Sequence, residues 1–171
     1  EKAVAFIDDN HEKPFFLYLS HYAVHTPILE DSRFSKNYPK LKGQARAYAT
    51  LVEGADKSLG DILTHIQELG IGTNTLIIWT ADNGGLSGRA ANSPYGEDLK
   101  TANWPLHFGK NDAYEGGHRV PTMVAWAVQD STHASQQRIP LTPGRIDARP
   151  FIHHDWMPTL LRLVGKQDPA P

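Results

Sequence analysis

The chain has 171 residues and a formal net charge of −2, enough length for one domain with a real core and no global pull towards nucleic acid or an anionic membrane. It contains no cysteine, which excludes disulfides, thiolate metal sites and a cysteine nucleophile within it. No apolar run approaches the roughly 20 residues needed to cross a bilayer, and Glu1 is not an initiator, so an upstream portion is expected.

Ala3, Val4, Phe6 and Ile7 read as the end of a helix over Glu1–Asn10, with Asp8-Asp9-Asn10 as a solvated turn. Lys13-Pro14 introduces a strand, Phe15–Ser20, with His21 and His25 just beyond it and Pro27 behind. A histidine there can ligate a metal, move a proton or, when charged, hold an anion, although a lone loop histidine is more often solvated. Glu30–Lys42 is polar and reads as a surface loop. Ala45–Leu69 is the clearest helix, with Leu51, Val52, Ala55, Leu59, Ile62, Leu63 and Ile66 among the residues of one apolar face and Gly70 as its C′ residue. Leu59 and Ile62 are expected to pack on the sheet. Asp56 within it is read as structural, a candidate buried hydrogen-bond partner.

Thr75–Gly85 is the informative stretch. Leu76–Thr80 reads as a buried strand that runs straight into Asp82-Asn83 and Gly84-Gly85. Ligands of open α/β sheets collect just past the carboxyl ends of strands. A carboxylate and an amide oxygen are ligands for hard cations such as Ca²⁺ and Mg²⁺. Asp-Asn-Gly-Gly is also ordinary turn chemistry, and on this segment alone the plain turn is favoured. Leu86–Trp104 is a long loop rich in Ser, Gly, Asn and Pro. Beyond it Lys110 follows a glycine, and an ammonium there can hold a multiply charged anion or simply be solvated. Glu115-Gly116-Gly117 with Arg119 reads as a tight, ion-paired turn. Val120–Val128 is a third strand and Gln129–Pro150 a polar loop. A final helix, Asp155–Val164, is capped by Asp155, has Pro158 in its first turn and ends at Gly165. His153-His154 before it read as solvated, and residues 166–171 as a tail or linker. Helix, short loop and strand in succession indicate an α/β fold in a single domain over 1–171.

Four segments in this order, FFLYLSHYAVHTP, YATLVEGADKSLGDILTHIQELGIGTNTLIIWTADNGG, PLHFGKNDAYEGGHRVP and HHDWMPTLLRLVG, together resemble the sulfatases of the alkaline-phosphatase-like superfamily, in the part that follows the nucleophile. The resemblance implies a large mixed or parallel sheet flanked by helices, of which this chain holds a part. It implies a divalent cation, usually calcium, with Asp82 and Asn83 as two of its ligands. It further implies that His25 serves the sulfate or the leaving oxygen and that Lys110 binds the sulfate group. His21 has no counterpart in the motif. His107-Phe108 stands where family members often carry Arg-Gly.

The resemblance also implies a formylglycine nucleophile made within a Cys/Ser-x-Pro-x-Arg motif. That motif does not occur here, nor does the aspartate pair that completes the metal site, so both are expected in a missing segment. The substrate class implied is a sulfate ester, aryl or glycan, and the compartment periplasmic, secreted or lysosomal. Nucleic acid and membrane are not expected partners. The four side chains His25, Asp82, Asn83 and Lys110 are expected to converge on one cleft, and the chain alone to be inactive and to self-associate through an unpaired strand edge. Alternatives are a phosphate or phosphonate ester hydrolase of the same superfamily, or a non-catalytic α/β module that binds an anion or a partner.

Overall fold

The computed structural model describes residues 1–86 and 103–166. The backbone forms two compact units, 1–141 and 142–171. The first holds helix α1 (Lys2–Asn10), helix α2 (Gly43–Glu68), strand β1 (Leu76–Thr80), the one-turn helix α3 (Glu115–His118), strand β2 (Thr122–Trp126) and the short helix α4 (Ala134–Arg138). The second holds helix α5 (Trp156–Leu163), entered through a 3₁₀ turn at His153–Asp155.

The apolar stripe of α2 does what its 3–4 spacing predicts. Ile62 and Ile66 join Ile7 of α1 in a buried cluster, against which Phe15, Leu17, Ile77 and Ala127 pack. Burying each such side chain contributes about 1.5–3 kcal/mol. Leu59 is only half-buried and lies outside that cluster. Asp56 is exposed, so it is not a buried hydrogen-bond partner: its position turns away from the stripe. α2 ends in a Schellman motif. Gly70 takes φ +70°, its N–H donates to Gln67 O at 3.0 Å, and Ile71 N–H donates to Ile66 O at 3.2 Å. The chain therefore reverses into β1 with Ile71 still against the core.

β1 has the boundaries that its sequence predicts. It pairs antiparallel with β2, Leu76 opposite Trp126 and Thr80 opposite Thr122. The strand is half-buried rather than buried, because among the described residues the sheet has two strands. The expected strand Phe15–Ser20 forms no ladder. Its side chains still alternate, Phe15 and Leu17 against the core, Phe16 (70% exposed) and Tyr18 (80% exposed) outward. It has the strand's side-chain period without a hydrogen-bonded neighbour among the described residues.

Two further expectations need correction. Gln129–Pro150 is not all loop, because α4 forms around Gln136, which is 3% exposed. Gln136 accepts from Asp130 N–H at 2.8 Å and donates to the Thr73 and Val128 carbonyls at 2.9 and 2.8 Å. A polar side chain is thus buried because it satisfies three backbone groups, which a hydropathy pattern does not register. Asp155 stands at the N-cap of α5 as expected, but its side chain makes no cap hydrogen bond there. Its carboxylate reaches back to accept from Ile152 N–H at 2.9 Å and closes the 3₁₀ turn instead. Gly165 ends α5 as predicted, at φ +75°. The expected loop Leu86–Trp104, apart from Leu86, Asn103 and Trp104, and the expected tail, apart from Lys166, lie outside the described residues.

Ile66→Ala should cost about 2–5 kcal/mol, and Leu59→Ala less than half as much. Urea denaturation of the two variants checks this, and equal losses would mean that α2 packs on a different stripe.

Candidate active site

The antiparallel pairing brings the exit of β1 beside the entrance of β2. Thr80 and Thr122 oppose each other there, their hydroxyls 2.9 Å apart. Asp82, Asn83 and Lys110 lie between them in sequence, in a connection that starts and finishes at the same end of the sheet.

Past Thr80 the chain makes the predicted turn. Asp82 is exposed, and its Oδ1 accepts from Asn83 N–H at 2.9 Å. Asn83 Nδ2 donates to Gly84 O at 3.0 Å. Gly84 is buried against the backbone of α3, and its N–H donates to Gly117 O at 2.9 Å. A Cβ on Gly84 would collide with the Gly116 carbonyl, one on Gly116 with the His107 and Phe108 carbonyls, and one on Gly117 with the Asp112 carbonyl. Three glycines are needed here because backbone lies on backbone with no space for a methyl group.

Lys110 is drawn into the same contact. Its N–H donates to Gly85 O at 2.9 Å, so the lysine loop and the Asp82-Asn83 turn are directly bonded. The residue is half-buried, and its ammonium has no hydrogen-bond or ion-pair partner among the described residues. The loop is held behind it by Asp112 N–H to Gly109 O, by Gly116 N–H to His107 O and by the Arg119–Glu115 ion pair at 3.2 Å, as the sequence suggested for that pair. Phe108 occupies φ +59°, the region where glycine is at ease. Its ring meets Tyr114 edge-on at 4.7 Å between centroids, which offsets part of the backbone cost of having phenylalanine there.

His25 stands on the segment after Leu17. It is exposed, tilted against Tyr22 at 5.5 Å, and its Nδ1 lies 2.9 Å from Thr26 O. A carbonyl only accepts, so Nδ1 carries the proton and Nε2 is the outward nitrogen. Three residues on, Ile28 is buried in a cluster with Ala47 of α2, and Leu86 packs against the same cluster. The His25 loop and the Asp82 turn thus share an anchor on α2. No hydrogen bond joins His25 to Asp82, Asn83 or Lys110 among the described residues. His21 is exposed and lines a broad 680 Å³ groove with Arg33 and Lys57.

One residue of consequence was not singled out from sequence. Asn103 closes the connection, its side chain bonded to both polar groups of Gly85 and to Phe108 O. Asparagine in an Asn/Ser/Gly-rich loop carries no local signal for that role. For a hard cation, the donor set present fits as a share of the shell: a carboxylate and an amide oxygen on adjacent residues. Among the described residues no three His, Cys, Asp or Glu side chains cluster.

The fold and this strand-end turn define a chain of mixed helix and strand in which the Lys110 loop is bonded through its backbone to the Asp82-Asn83 turn. The sequence profile of the Sulfatase family matches residues 1–166, and the chain belongs to that family. Steryl-sulfatase of Mus musculus is 34% identical over 170 residues, 99% of this chain and 24% of that protein. N-acetylgalactosamine-6-sulfatase of Mus musculus is 31% identical over 177 residues, 99% of this chain and 29% of that protein. The crystal structure of Ps i-CgsB in complex with k-i-k-neocarrahexaose superposes with a TM-score of 0.73 at 29% identity, covering 98% of this chain and 33% of that one. The fold is accordingly part of the alkaline-phosphatase-like fold, and the chain spans about a quarter to a third of the length of these relatives. This favours a sulfatase over a phosphoester hydrolase or a non-catalytic module. No described helix is long and apolar enough to cross a membrane.

Gly84→Ala should destabilise the chain by about 1–3 kcal/mol, as overpacking does in a filled contact. Thermal unfolding measures it, and an unchanged midpoint would mean that Gly84 and Gly116 are not in backbone contact.

Proposed function

We propose that this chain carries the anion-holding and part of the cation-holding half of a sulfatase active site, within a longer enzyme that hydrolyses the sulfate ester of an aryl or glycan alcohol. The observation that carries the reading is Lys110, half-buried as a residue and without a side-chain ion pair among the described residues, on a loop bonded to the Asp82-Asn83 turn. Family membership supports the reaction type.

In this reading Asp82 and the Asn83 amide oxygen hold a divalent cation, calcium by family resemblance. The cation, when bound, neutralises charge on the sulfate oxygens. Lys110 holds a sulfate oxygen as a point charge and stabilises the negative charge that grows during transfer. His25 protonates the leaving alcohol oxygen; such a general acid contributes on the order of 10²–10⁴ in rate. The attacking oxygen comes from a formylglycine outside this chain. Two oxygen ligands fall short of the 6–8 that Ca²⁺ takes, so the isolated chain should bind it weakly. The Phe15–Ser20 segment, with Phe16 and Tyr18 outward and no ladder, is the surface through which isolated chains would associate. The compartment proposed from the family resemblance is periplasmic, secreted or lysosomal.

The purified 171-residue chain with added calcium should give no sustained turnover of an aryl sulfate. In the same sample, inorganic sulfate should shift the Lys110 backbone amide in an NMR titration and leave Lys110→Ala unresponsive, while sedimentation should show mass rising with concentration. Turnover that vanishes in Lys110→Ala would contradict the inactive-half reading, and a Lys110 amide that ignores sulfate would contradict the anion site.

A further inference from the structure

We propose that Asn103 is a positioning residue whose side-chain amide fixes Lys110 at one separation from the Asp82-Asn83 turn. The proposal rests on the site reading above.

Asn103 Oδ1 accepts from Gly85 N–H at 3.0 Å, and its Nδ2 donates to Gly85 O at 3.0 Å and to Phe108 O at 2.9 Å. One side chain therefore holds both polar groups of the residue three past Asp82, and the carbonyl two before Lys110. The Gly85 carbonyl it grips is the same one that accepts from Lys110 N–H at 2.9 Å. Rotation of Gly85 would break all three contacts to that residue together. The Asn103 amide also takes the Phe108 carbonyl while Phe108 sits at φ +59°, so it secures the left-handed step that aims the next two residues.

The chemistry requires a primary amide. It supplies an acceptor and two donor protons from one plane, which no hydroxyl or carboxylate does. Aspartate has the same shape, but when ionised it only accepts, and it would face the Gly85 and Phe108 carbonyl oxygens with a charge. The role is separable from the fold. The Gly84–Gly117 hydrogen bond and the glycine contact do not involve Asn103, and neither does the β1–β2 ladder.

The test compares wild type, Asn103→Ala and Asn103→Asp in the full 171-residue chain. Backbone amide hydrogen exchange is read residue by residue, and inorganic sulfate is titrated against the Lys110 amide. In Asn103→Ala, exchange at Gly85 and Lys110 should rise about tenfold, the factor for one net hydrogen bond of about 1.4 kcal/mol, with Gly84 and the β1–β2 amides unchanged. The sulfate midpoint should move higher in the same variant. Asn103→Asp should keep Gly85 N–H protected and still loosen Lys110. Exchange that rises equally in β1 and β2, in either variant, would make Asn103 a general stabiliser and overturn the proposal. Unchanged exchange at Lys110 would overturn it as well. A local rise at Lys110 with no sulfate response in any of the three proteins would support the positioning role and remove the sulfate reading instead.

Discussion

The close approach of Gly84 to Gly116 and Gly117 is the constraint on which the site depends. A strand-end turn bearing Asp82 and Asn83 lies backbone to backbone on a one-turn helix, and the hydrogen bond from Gly84 N–H to Gly117 O fixes their spacing. A side chain at any of the three positions would hold the two segments apart. With the contact made, Gly85 O is free to accept from Lys110 N–H, and the lysine loop is tied to an oxygen-bearing turn. No side-chain ion pair engages Lys110 among the described residues.

Helix α2 supplies the platform. Its carboxyl half, through Ile62 and Ile66, holds Ile77 of β1 and so sets where the strand delivers Asp82. Its amino half, through Ala47, Tyr48 and Leu51, holds both Ile28 and Leu86. The segment of His25 and the segment of Asp82 are therefore located by one rigid element, although they are distant in sequence. Thr50 adds to this, its hydroxyl donating to Ala47 O and accepting from Asp31 N–H, which ties the Glu30–Lys42 stretch to the same helix. Site geometry here follows from apolar packing on one helix and from backbone bonds among glycines.

Sequence carried the regular part of this. The stripe of α2, Gly70 and Gly165 at helix ends, the limits of β1 and the Glu115–Arg119 pair were all legible, because each rests on a local period or a local conformational demand. Phe15–Ser20 shows the limit: its alternation is real, yet a strand also needs a neighbour, and periodicity does not say where that neighbour is. α4 was missed because Gln136 is buried for its hydrogen bonds, and Asp155, rightly placed at the N-cap of α5, bonds the preceding turn because a carboxylate near a helix start can serve either of two turns. Asp82, Asn83, His25 and Lys110 could be singled out by residue type after strands and by resemblance. Asn103 could not, since its work is done on Gly85, which is 18 residues before it in sequence.

The central claim is that Asp82, Asn83 and Lys110 face one cleft at the end of β1. A crystal structure of this chain grown with calcium and sulfate tests it most directly. The account predicts a cation on the Asp82 carboxylate and the Asn83 amide oxygen, with a sulfate on the Lys110 ammonium beside it. A Lys110 side chain directed away from the Asp82-Asn83 turn, with sulfate bound elsewhere, would contradict it.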